Sequence, residues 1–200
     1  MVFLRTAPAF ESTQPIAGRG LLLRTPQNQD YPAWAELRAL SRDHLVPWEP
    51  VWPRDDLTRS AYRRRLRHYA REARDDHGYA FFVFDQSSGR LTGGLTLSNV
   101  RRGVTQSAML GYWMGAPYAG HGIMTNAVAC LMPFVFQDLR LHRLEAATQP
   151  NNPASIRVLE KNGFEREGYA RRYLKINGVW QDHLFYGLLG DDVAQARLPA

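Results

Sequence analysis

Two glycines two apart open a helical stretch in "YAGHGIMTNAV", residues 118–128. Glycine weakens a helix, so Gly120 and Gly122 serve another need there. A strand ending at Met114, a short turn and an immediate helix start leave several backbone N–H groups unpaired along the helix axis. The helix dipole adds about half a positive charge at that end. Ala119, Gly120, His121, Gly122, Ile123, Met124 and Thr125 thus make a seat for a pyrophosphate, with no Cβ at the glycines to hold it off. A plain loose turn would use the same residues, and His121 would then be a solvated loop side chain. The segment carries neither the Gly-Lys-Ser/Thr of a P-loop nor the third glycine of a dinucleotide fold.

A second constellation is "NNPAS", residues 151–155. Asn152 suits an N-cap and Pro153 the first helical position, which puts Ser155 in the first turn. Spacing alone reads this as capping. Cys130, the only cysteine, falls mid-helix without a histidine partner in sequence, so a core role is expected. The six histidines lack metal-ligand spacing, and no metal is expected.

The elements that must position these residues follow from patterning. The 200 residues suit one domain, and the net charge of +6, carried mainly by arginine, favours acidic partners. No segment has the length of a membrane span, and the start lacks a signal-peptide pattern, so a cytoplasmic protein is expected. A strand at 20–25, helices at 27–42 and 54–75 and a proline-braced loop at 45–53 come first. Strands at 79–85, 91–100 and 105–114 form an antiparallel meander. A helix at 122–139, a strand at 143–149 and a helix at 152–163 follow, then two or three strands with a turn at Asn177–Gly178. Pro133 inside the third long helix should clash with the Ala129 carbonyl and kink it. The order implies an α+β domain.

"LGYWMGAPYAGHGIMTNAV" and "LHRLEAATQPNNPASIRVLEKNGFEREGYA" resemble the GCN5-related N-acetyltransferase (GNAT) superfamily. Within it the chain resembles the ribosomal-protein-alanine N-acetyltransferases, with "PWEPVW", "SNVRRG" and "YLKINGVWQDH" adding to the likeness. The resemblance implies a GNAT fold, a mixed, mostly antiparallel sheet of about seven strands flanked by about four helices. It spans residues 19–189, leaving 1–18 as an extension and 190–200 as a tail. It implies acetyl-CoA as co-substrate, bound by the 119–125 turn, by backbone groups at Tyr112, Trp113 and Met114, and by Asn152 and Ser155. Ala119 stands where the superfamily pattern has Arg or Gln. The resemblance places Ser155 near the coenzyme sulfur as a donor to the departing thiolate, and puts Trp48, Glu49 and Asn99 on the acceptor side. Many superfamily members use a tyrosine in the donor role, and none is apparent at the matching place.

An N-terminal α-amine has a pKa of about 7.7–8.0, so roughly a tenth is neutral near pH 7, against less than about 0.1 % of a lysine. A modest base suffices, and Glu49 in "PWEP" is the candidate; it would alternatively bind the substrate ammonium or cap a turn. The implied function is direct acetyl transfer to a protein N-terminus, that of a ribosomal protein with N-terminal alanine. Acetylation of a small-molecule amine, or a non-catalytic module binding RNA or the ribosome, are the alternatives. Arg59, Arg63, Arg67 and Arg71, four apart, make either a solvated helix face or a contact for ribosomal RNA. Monomer and homodimer both remain open.

Overall fold

The computed structural model describes residues 14–195. Eight strands form one sheet in the order β1-β2-β3-β4-β5-β6-β8-β7. They are β1 (Ile16–Gly18), β2 (Leu21–Arg24), β3 (Tyr79–Asp85), β4 (Leu91–Arg101), β5 (Ser107–Met114), β6 (Arg143–Thr148), β7 (Glu165–Ile176) and β8 (Val179–Leu189). Every neighbouring pair is antiparallel except β5 with β6. Among the described residues six α-helices accompany the sheet: α1 (Tyr31–Leu40), α2 (Arg42–Leu45), α3 (Arg59–Arg74), α4 (Ile123–Pro133), α5 (Pro153–Lys161) and α6 (Gly190–Gln195).

Two apolar layers sandwich the sheet. Strand β3, "YAFFVFD", is buried on both faces. Tyr79, Phe81 and Val83 enter a core with α4 residues such as Val128 and Leu131, while Phe82 and Phe84 meet Trp34 of α1 and Tyr62 of α3. Period-two alternation thus gives one strand to two layers. Helix α3 is arginine-rich and exposes most of its surface. It is capped by Thr58, whose hydroxyl accepts from the Ala61 amide at 3.2 Å. It is anchored by Tyr62, which packs on Trp34 and donates to the Gln27 carbonyl at 2.8 Å.

The architecture has one strand more than the expected seven. The sheet starts at Ile16, inside the stretch read as an extension, because β1 pairs with β2 through a tight turn at Arg19–Gly20. The stretch read as a tail begins with α6, leaving residues 1–13 and 196–200 outside the described ones. Helix α3 starts at Arg59, later than expected, since Thr58 caps it there. The Asn177–Gly178 turn has φ of 43° and 82°, the left-handed pair that a two-residue hairpin requires. Pro133 ends the α-helical stretch. The next five residues, Phe134–Asp138, form a π-helical turn in which the Leu139 amide reaches the Phe134 carbonyl at 2.8 Å. The ring removes one donor, and the widened turn is how the chain continues. No helix among the described residues is long and apolar enough to cross a membrane.

Candidate active site

The glycine turn places the start of α4 at the mouth of a cavity. Gly120 has φ 81° and Gly122, the N-cap, has φ 75°. Nothing lies within 4 Å of where either Cβ would stand, so backbone conformation rather than crowding selects glycine. Gly122 provides no side-chain cap. The amides of Ile123, Met124 and Thr125 therefore have no acceptor within the helix or its cap. Together with the helix dipole they make an anion seat.

The sheet opens beside that seat. Strands β5 and β6 pair from Ser107↔Arg143 to Leu110↔Ala146 and then separate, while β5 stays on β4 as far as Met114↔Gly93. The β6-facing backbone of Gly111–Met114 is thereby freed from the sheet. A cavity of about 630 Å³ fills the opening and reaches the glycine turn. It is lined by Tyr112, Trp113 and Met114, by Ala119, Gly120 and Gly122 to Thr125, and by Asn152 and Ser155. Trp48 lines it from the proline-braced loop. His121 is exposed and stays outside that lining.

Asn152 caps α5, its side-chain oxygen accepting from the Ser155 amide at 3.1 Å, as its spacing predicts. The Ser155 hydroxyl lies 2.8 Å from the Tyr112 hydroxyl, which also approaches the Ser155 carbonyl at 3.2 Å. A tyrosine hydroxyl therefore reaches the candidate donor after all, from β5 rather than from α5. Burial pushes the Tyr112 pKa up to about 12, against a smaller opposing pull from the Ser155 hydrogen bond, so the phenol keeps its proton at neutral pH.

A second cavity, about 580 Å³, shares Glu49, Gly111, Tyr112 and Trp113 with the first. Its walls include Trp34, Trp52 and Phe82. Glu49 lies at the junction with its carboxylate occupied. Arg38 donates to both oxygens at 2.7 and 2.6 Å, and the Trp52 indole donates to one of them at 2.7 Å. The Arg38 guanidinium, 7 % exposed, also lies 4.2 Å from the Trp52 ring centroid. The loop is tied down further: the Asn177 amide donates to the Glu49 carbonyl at 2.9 Å, and the buried Gln149 amide to the Pro47 carbonyl at 3.1 Å.

Asn99 lies outside both cavities. It sits in a bulge between Ser98 and Arg101 with φ 53°, exposed, and lines neither cavity. Three residues of strand separate it from Thr96, opposite Gly111, which is about 10 Å. Cys130 is half-buried on α4, its thiol donating to the Gly18 carbonyl at 3.4 Å, and burial raises its pKa. Among the described residues no group of three or more His, Cys, Asp or Glu side chains could hold a metal ion. One lining residue to which the sequence reading gives no role is His183 in β8, the last residue of "YLKINGVWQDH", 3 % exposed.

Residues 20–165 match the family described as "Acetyltransferase (GNAT) domain". The chain is 36 % identical to the Bacillus subtilis protein named Probable N-acetyltransferase YjcK, over 90 % of this chain and 99 % of that one. It is 32 % identical to the [Ribosomal protein uS5]-alanine N-acetyltransferase of Escherichia coli, over 88 % and 91 %. Among solved structures, Mycobacterium smegmatis RimJ in complex with CoA-disulfide superposes with a TM-score of 0.82 at 32 % identity, covering 88 % of this chain and 90 % of that one. An opened β5–β6 pair beside an uncapped helix start, in a chain matched over most of its length, has one family meaning: this protein belongs to the GNAT acetyltransferases.

Proposed function

We propose that the protein transfers acetyl from acetyl-CoA to the α-amine of a protein N-terminus by direct attack in a ternary complex, the acceptor being the N-terminal alanine of a ribosomal protein. The observation that carries the reading is the meeting of two cavities at Gly111–Trp113, one of them ending on the anion seat. Coenzyme and acceptor would enter from opposite sides and meet at β5. The relatives named for alanine acetylation of a ribosomal protein support the acceptor. A ribosomal acceptor also fits a cytoplasmic place of action.

The amides of Ile123–Thr125 would hold the diphosphate and the freed backbone of β5 the pantetheine arm. Acetyl-CoA supplies an activated thioester. As the amine adds, charge grows on the carbonyl oxygen, and a fixed backbone N–H of β5 would stabilise it by about 3 kcal/mol. Ser155, oriented by Tyr112, would protonate the departing sulfur. Cys130 lines neither cavity, which favours direct transfer over an acyl-cysteine. Three donors already engage Glu49, and taking a proton would discharge one member of a largely buried ion pair. We therefore infer that Glu49 braces the acceptor loop.

Calorimetry with acetyl-CoA, then thiol release with peptides starting in alanine, tests the reading. Binding followed by turnover on the peptide is expected. Binding without turnover on any amine would leave a non-catalytic module, and turnover on small amines alone would move the acceptor class. Comparing protein N-termini by mass spectrometry in cells with and without the gene identifies the acceptor. Arg59, Arg63, Arg67 and Arg71 are all exposed, whereas Arg64 and Arg65 pair with Asp55 and Asp56. We assign the four to a ribosomal RNA contact, whose affinity for an RNA fragment should fall steeply with added salt.

A further inference from the structure

His183 lines the coenzyme-side cavity together with Thr148 and Ser155, yet is 3 % exposed. Its Nδ1 lies 3.0 Å from the Gln181 carbonyl oxygen. A carbonyl can only accept, so Nδ1 carries the hydrogen and Nε2 of the neutral ring carries the lone pair. Nε2 has no partner among the described residues, and the sealed unpartnered side-chain atoms among them are Arg38 Nε and Asp56 Oδ2. Nε2 is therefore not sealed, and its residue lines the cavity. Burial lowers the imidazole pKa below its ordinary value, against smaller opposing effects of the Gln181 carbonyl and Asp182.

The surrounding charges leave this base without a rival. Asp182, its neighbour in β8, already accepts from the Tyr169 hydroxyl and the Arg172 amide. From β7, Tyr173 packs its ring 5.7 Å from the imidazole centroid. Glu49 is the one carboxylate among the lining residues, and Arg38 and Trp52 hold it. Arg157 and Lys161 on α5 are cations, and His44 is exposed to solvent.

We propose that Nε2 of His183 is the general base that accepts the proton of the acceptor's α-ammonium. This rests on the amine-acetylation reading above and adds the residue that makes the amine nucleophilic. One ammonium N–H bond breaks and an Nε2–H bond forms, leaving a neutral amine and an imidazolium. The nitrogen lone pair bonds to the thioester carbonyl carbon, and the C–S bond breaks with its electron pair on sulfur. The surplus proton on nitrogen passes to sulfur by way of the Ser155 hydroxyl, and the imidazolium returns its proton to water. Nothing is oxidised or reduced.

The test is the pH dependence of kcat/KM for His183→Asn, whose amide preserves a donor toward Gln181, on alanine-starting peptides and a panel of small amines. Wild type should vary much less than the variant between about pH 6.5 and 7.5, since burial favours the neutral imidazole while the substrate is still ammonium. The variant should rise about tenfold per pH unit until the amine itself deprotonates near pH 8. Its deficit should be about tenfold or more at pH 7 and shrink as pH rises. Added imidazole should restore part of the rate of His183→Ala. A deficit equal at all pH values, or none, overturns the assignment. The same profile on small amines alone upholds His183 and removes the N-terminal acceptor. A wild type that binds acetyl-CoA but acetylates no amine overturns both.

Discussion

Tyr112 and Ser155 are 43 residues apart and 2.8 Å from each other. Each hydroxyl can donate or accept, so the pair has two settings: the serine hydrogen points at the phenol oxygen, or the phenol donates and frees the serine hydrogen for sulfur. Ser155→Ala should lower kcat by about 10²-fold, within the range for a positioned acid. Tyr112→Phe should lower it less, and the double variant should be no worse than Ser155→Ala alone, because the two act as a unit. Additive losses in steady-state kinetics would mean that the tyrosine serves something else. Glu49→Gln leaves the buried Arg38 without its counter-charge, and such breaks destabilise by about 3 kcal/mol. A lower Tm and an activity loss uniform in pH are expected; a loss confined to low pH would return Glu49 to the role of base.

The anion seat depends on how one helix begins. Gly122→Ala places a Cβ in open space but at φ 75°, a strain of about 1–2 kcal/mol. Acetyl-CoA should bind up to about tenfold more weakly by calorimetry while the circular dichroism spectrum is unchanged. That turn and the Asn152 cap were legible in the sequence because their demands are local: positive φ calls for glycine, and a free amide calls for asparagine. The parting of β5 from β6 was not, since register with a strand thirty-odd residues away leaves no mark on composition. Tyr112 looked like a residue valued for its backbone, and only the fold brings its hydroxyl to Ser155. His183 carried no spacing signal. Asn99, within "SNVRRG", lies in a bulge of β4 outside both cavities, a position set by the strand's register rather than by its own spacing. The helix after Pro133 illustrates a rule satisfied in an unforeseen way, by widening into a π-turn.

At the scale of the molecule, helices cover both faces of the sheet, and three tyrosines are caught between layers or at their edges. Burial raises the pKa of Tyr62, Tyr79 and Tyr112, the last to about 12. An unfolded tyrosine ionises near pH 10. Each therefore contributes stability that is whole below about pH 10 and disappears as pH climbs through the folded value. Urea midpoints should hold steady from pH 8 to about 9.5 and fall beyond it, and a flat response to pH 11.5 would contradict the burial of these rings. The segment carrying Trp48 and Glu49 is fastened by Gln149 just after β6, to the β7–β8 turn by Asn177 and to α1 by Arg38. Hydrogen bonds at these three points hold that strap in place. On the proposed reading acceptors would thread into a standing aperture, and turnover should be insensitive to solvent viscosity wherever the chemical step is slow, unlike that of enzymes that wait for a flap to open.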